Sequence, residues 1–169
     1  MLSRLAYRTR QFCNALPGSR KRVKADALLP YLSPSQITIF RQMQPSEQAH
    51  ACEMLEQLKA AGQTDPDLLA AALLHDVGKI LYPYTLVDRV VIVLFKRFFQ
   101  RKTGGWRPGT PGRLRRLFTA AALHPAWGAE LAEQAGASPR TVELIRRHQE
   151  QPSGGDPLLA ALQALDEEN

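Results

Sequence analysis

Apolar residues along this chain recur at helical spacing, and prolines mark where several of the helical stretches begin. Ser33-Pro34, Asp65-Pro66 and Ser138-Pro139 each read as an N-cap followed by proline at the first helical position, where its missing N–H costs nothing. Asp67 adds a favourable negative charge near its helix start. The pattern predicts helices near residues 2–16, 34–42, 45–61, 66–76, 84–101, 112–123, 125–135, 139–150 and 156–167. No stretch shows the sustained period-two alternation of a half-buried strand. The expected class is therefore all-α, a compact helical bundle with a basic amphipathic helix at its N-terminus.

The same periodicity places polar residues on faces that should be apolar. His50 shares a face with Met54 and Leu58, His148 follows Leu144 and Ile145, and Asp166 follows Leu159 and Leu162. His75 and Asp76 end the apolar stretch Leu73-Leu74-His75-Asp76-Val77-Gly78-Lys79. A buried carboxylate without a partner is costly or becomes neutral. One inward histidine would most simply be a hydrogen-bonded core residue. Five helices that each turn an imidazole or a carboxylate inward are explained more economically by a shared cation. Asp76 is the candidate for its centre, because a carboxylate can bridge two metals. Lys79 reads two ways, as an ammonium that binds a phosphate oxygen or as a surface lysine.

Charge and cysteines narrow the setting. Residues 1–24 hold Arg4, Arg8, Arg10, Arg20, Lys21, Arg22 and Lys24 with no acid, whereas the rest of the chain carries 15 basic and 16 acidic residues. The net charge of +6 thus belongs to an N-terminal arm (1–24) and not to the domain (25–169). The arm is expected either to lie on an anionic membrane surface or to dock on the domain with a solvated basic face. Nucleic acid is not the expected partner, since the arm has few aromatics and no recognised motif. Cys13 and Cys52 form no CxxC pair, which argues against a disulfide framework and for a cytoplasmic protein, peripheral to the membrane if the arm lies on its surface. Apolar runs such as Val90 to Phe95 are far short of the roughly 20 residues a bilayer span needs. The segment from Gln100 to Gly112, rich in glycine, proline and basic residues, reads as an exposed connector or as a basic flap over an anionic substrate.

These residues resemble the HD superfamily of metal-dependent phosphohydrolases. The family's pattern of an upstream His, a His-Asp doublet and a late Asp is met by His50, His75-Asp76 and Asp166. The doublet with Val77-Gly78-Lys79 is similar to the HDIG variant, with valine in place of isoleucine. His124-Pro125-Ala126-Trp127-Gly128 resembles the His-Pro-x-x-Gly segment of multi-metal members, including the HD-GYP cyclic-dinucleotide phosphodiesterases. His148-Gln149-Glu150 departs from the His-His-Glu run of that branch, and no Gly-Tyr-Pro follows. Asp156 competes with Asp166 for the late carboxylate, but it opens the last helix and reads better as an N-cap.

The resemblance implies a helical HD-domain bundle that hydrolyses a phosphate ester, a nucleotide or another phosphorylated small molecule. His50, His75, Asp76, His124, His148 and Asp166 would hold one or two ions of manganese, iron, cobalt, nickel or zinc. Asp76, Lys79, His124 and His148 would act on the substrate. Two other readings share the ligands: a regulatory domain that senses metal or nucleotide, and a diiron oxygenase. Substrate identity and oligomeric state are left open.

Overall fold

The computed structural model describes residues 25–83, 85, 87–88, 91, 112–151 and 155–168 of the chain. The arm 1–24, with its expected helix 2–16, lies outside these residues, as does nearly all of the expected helix 84–101 and of the 100–112 connector. Six α-helices are bounded: α1 (Pro34–Phe40), α2 (Pro45–Ala60), α3 (Pro66–Leu74), α4 (Gly112–Gln134), α5 (Pro139–Arg147) and α6 (Pro157–Glu168). Short 3₁₀ turns occupy Ala25–Ala27 and Val77–Leu81. Among the described residues there is no β-strand, and none of their helices is long and apolar enough to cross a membrane.

Five of the six helices open on a proline, and the residue before it supplies the cap. Ser33 Oγ accepts from Gln36 N–H at 3.3 Å, while Gln36 Oε1 accepts from Ser33 N–H at 2.9 Å. Asp65 takes Leu68 N–H at 3.0 Å, Ser138 takes Thr141 N–H at 3.0 Å and Asp156 takes Leu159 N–H at 3.2 Å. Glu47 closes the start of α2 by accepting from Gln44 N–H at 3.2 Å.

The centre of the bundle is α3. Leu68 through Leu74 are all buried, so this helix has no solvent face and must be enclosed. Helices α2, α5 and α6 pack around it. Its alanines, Ala70 to Ala72, let neighbouring backbones come close, and the surrounding core includes Phe40, Met54, Leu58, Leu144, Ile145 and Leu162. Helix α4 packs on α5 and on the 3₁₀ turn after α3. Two side-chain ties fix the frame. Asp67, at the start of α3, accepts from Ser138 Oγ and, at 2.9 Å, from Thr141 Oγ1 at the start of α5. Gln163 on α6 donates to the carbonyls of Arg147, the last residue of α5, and of Glu150 just beyond it, both at 3.1 Å.

Two boundaries differ from the pattern. The expected helix 66–76 stops at Leu74, because His75 is its C-cap and Asp76, at φ −96° and ψ 4°, turns the chain into the 3₁₀ segment. The expected helices 112–123 and 125–135 are one helix that runs through Pro125. An interior proline removes one backbone hydrogen bond and costs about 3 kcal/mol. Packing on both sides of it, through Leu117, Ala120, Ala129 and Ala132, holds the helix together. Cys52 is half-buried, and burial first, then Glu56, push its thiol up to about 11, which suits packing and not nucleophilic chemistry.

Asp156 yields a test of the capping scheme. It bonds Arg140 at 2.6 Å, and that bond leads the causes holding its carboxyl below the ordinary value. The stabilisation is therefore present above the unfolded pKa near 3.9 and is lost as pH falls through the lower folded value. Asp156→Ala should cost about 1 kcal/mol at pH 7, with the gap narrowing below about pH 4. Denaturant melts of both proteins across pH would show it, and a gap constant down to about pH 2 would contradict it.

Candidate metal centre

The polar residues that the periodicity turned inward meet at the ends of these helices. His50 comes from the middle of α2, His75 and Asp76 from the turn after α3, His124 from the middle of α4, His148 from the C-cap of α5 and Asp166 from the last turns of α6. Their imidazoles form a continuous chain, with ring centroids 5.3 Å apart for His50–His75 and 5.2 Å for both His75–His148 and His148–His124.

The donor atoms fall into two groups, His50, His75 and Asp166 in one and Asp76, His124 and His148 in the other. In the first, Asp166 Oδ1 lies 3.4 Å from His50 Nε2 and 3.5 Å from His75 Nε2. In the second, His124 Nε2 lies 3.3 Å from both Asp76 Oδ1 and His148 Nε2. Asp76 joins them, because its other oxygen, Oδ2, stands 3.4 Å from His75 Nε2. Donors bound at about 2.1 Å to one tetrahedral ion stand about 3.4 Å from each other, so these spacings match a shared cation better than direct hydrogen bonds.

The backbone decides which nitrogen each ring presents. Nδ1 of His75 lies 3.0 Å from Ala72 O, that of His124 lies 2.8 Å from Ala121 O and that of His148 lies 2.7 Å from Ile145 O. Each is a contact to the carbonyl three residues earlier. A carbonyl can only accept, so Nδ1 carries the hydrogen and the Nε2 lone pair faces the centre. Two lone pairs 3.3 Å apart, at His124 and His148, repel unless a proton or a metal ion sits between them. The His75 Nε2 is likewise buried without a hydrogen bond among the described residues. His50 lacks the device, since its Nδ1 is buried with no such partner.

Charge follows from the same geometry. Burial opposes a positive His75, but the carboxylates of Asp76 and Asp166 outweigh it and raise its pKa to about 10. Burial and the charge of His75 push His148 down to about 4, leaving it a neutral donor. For Asp76, burial favours the neutral acid, yet Lys79 and the surrounding imidazoles hold it ionised well below the carboxylate range. Asp166 is held ionised by His50 and His75 against the same burial.

Lys79 is part-exposed and is held beside the centre by Asp76. Its Nζ lies 2.5 Å from Asp76 Oδ2. Burial works against its charge, and the carboxylates of Asp76, Glu47 and Asp166 more than restore it. Glu47 was missed by sequence reasoning. It is buried, one turn before His50 on the same helix, and that spacing could have flagged it. Asp156 caps α6, as expected, and stands apart from both donor groups.

Both glycines of the two motifs hold the halves together. A Cβ on Gly78 would sit 2.0 Å from the His124 carbonyl oxygen and 2.7 Å from Gly128 N, and one on Gly128 would meet Gly78 N at 3.2 Å. Here the bare backbones of the 3₁₀ turn and α4 touch, which brings Asp76 within reach of His124. The family model of the HD domain matches residues 48–168, most of the chain, including all six donors. The chain belongs to the HD domain family. No curated protein and no solved structure matches this HD domain closely.

Gly78→Ala should cost about 1–3 kcal/mol or more and move α4 away from Asp76, since the clash is with backbone. Gly112→Ala, at a position with open space around it, should be close to neutral. Equilibrium denaturation of both variants tests this, and equal stabilities would show that the close approach is unimportant.

Proposed function

We propose that this HD domain hydrolyses a phosphate ester of a nucleotide or a related phosphorylated small molecule, using two divalent transition-metal ions. The observation that carries the reading is the position of Asp76, whose two oxygens face different sets of imidazoles. His50, His75, Asp166 and Asp76 Oδ2 would hold one ion, and Asp76 Oδ1, His124 and His148 the other. Mixed nitrogen and oxygen donors suit manganese, iron, cobalt, nickel or zinc better than calcium. Ions bound there would supply an acidified water and neutralise charge on the phosphoryl oxygens.

The protein's own part is to hold the donors rigid, exclude bulk water and admit the substrate from one side. Side chains of His75, Asp76, His124 and His148 are at most 4% exposed, whereas those of His50, Lys79 and Asp166 are 13%, 21% and 23% exposed. Among the described residues the centre is therefore open along His50, Lys79 and Asp166. Lys79 brings a positive charge to that side and would meet the anionic substrate as it arrives. His148, kept neutral by burial and the charge of His75, stays on the closed side beside His124, ready to bind an ion without first losing a proton from Nε2.

Purified protein should carry close to two ions per chain, His148→Ala about one and Asp76→Ala essentially none. Phosphate release across a panel of esters should fall by roughly 10²–10⁴ in Asp76→Ala, as expected when several kcal/mol of metal stabilisation is lost. Elemental analysis and a phosphate assay on the same samples decide the matter. Full turnover in a metal-free Asp76→Ala protein would sink the proposal. Two bound ions with no ester cleaved would leave a sensor, and oxygen uptake by iron-loaded protein an oxygenase.

A further inference from the structure

Pro125 is the residue of α4 that its helix tolerates least. It lies inside a 23-residue helix, where an interior proline costs about 3 kcal/mol relative to alanine. What it removes is specific: residue 125 would ordinarily donate its N–H to the carbonyl four residues back, that of Ala121. Ala121 O is the atom that accepts from His124 Nδ1, at 2.8 Å. Proline also presses its ring against that carbonyl and tilts it off the helix axis.

The other two imidazoles show what this achieves. His75 and His148 use the same contact, Nδ1 to the carbonyl three residues earlier, and both are C-caps. Carbonyls in a last helical turn lack intrahelical donors and are free for a side chain. His124 sits mid-helix, where the carbonyl three residues back would ordinarily already accept a backbone N–H. We propose that Pro125 is a positioning residue for His124: by withholding the residue-125 N–H it reserves the Ala121 carbonyl for Nδ1, and so turns the Nε2 lone pair toward Asp76 and His148. The protein thereby builds a local helix end inside a continuous helix. This rests on the metal-centre reading for its purpose, but the tautomer it fixes is a property of the metal-free protein.

The test compares the full-length protein with Pro125→Ala, and with Pro139→Ala as a control at a helix start. Nitrogen-15 spectra of metal-free protein at about pH 9, above the ordinary imidazole pKa of about 6.5, report which His124 nitrogen is protonated. Titration with Mn²⁺ alone reports affinity, and thermal melts report stability. Wild type and Pro139→Ala should show His124 protonated at Nδ1. Pro125→Ala should show a mixture with Nε2–H, bind the second ion about tenfold or more weakly, and melt no lower than wild type. An ester linkage replacing the residue-125 amide on the alanine background removes the N–H again and should restore the Nδ1–H form. An unchanged tautomer in Pro125→Ala overturns the proposal, as does weaker Mn²⁺ binding that merely tracks a lower melting temperature. Failure of the ester to restore the tautomer overturns it too. If wild type binds no Mn²⁺ while the tautomer still shifts, the metal reading fails and the role of Pro125 stands.

Discussion

The carbonyls of Ala72, Ala121 and Ile145 each hold the Nδ1 of the histidine three residues further on, at 3.0, 2.8 and 2.7 Å. That constraint leaves three Nε2 lone pairs pointing into one buried space, together with the oxygens of two ionised carboxylates. Such a concentration of electron pairs is unfavourable in a dry interior unless positive charge is supplied. Without metal the charge comes from a proton on His75 and from the ammonium of Lys79. A divalent ion would displace that proton, since imidazole binds metal only when neutral.

The packing explains how distant parts of the chain are brought together. Helix α3 is enclosed on all sides, so the turn that follows it emerges in the middle of the bundle instead of at its surface. His75 and Asp76 are buried for that reason. Helix α4 is drawn onto the turn by the contact between Gly78 and Gly128, and α6 is tied to the end of α5 by Gln163, three residues before Asp166. The two donor groups thus depend on separate tertiary contacts and share Asp76. The most open donors of the centre, His50 and Asp166, belong to the group that α6 completes.

Much of this was legible in single-sequence patterns. Caps before proline placed α1, α3 and α5, and the faces defined by Met54 and Leu58, by Leu144 and Ile145, and by Leu159 and Leu162 correctly turned His50, His148 and Asp166 inward. Pro125 misled, because propensity marks a break there and tertiary burial overrides it. The two glycines carried no signal of their partnership. A glycine advertises freedom, not which backbone, fifty residues away, will touch it. Glu47 was hidden by an innocent role, since an acid in a first turn already has a reason to be there.

The central claim is that these lone pairs and carboxylates gather around cations on either side of Asp76. Anomalous scattering from crystals grown with Mn²⁺, collected on both sides of the manganese edge, tests it most directly. Two peaks about 3.5–4 Å apart, one beside His50, His75 and Asp166 and one beside His124 and His148, are predicted. No peak between these residues at saturating metal, with the imidazoles hydrogen-bonded to each other instead, would contradict the account.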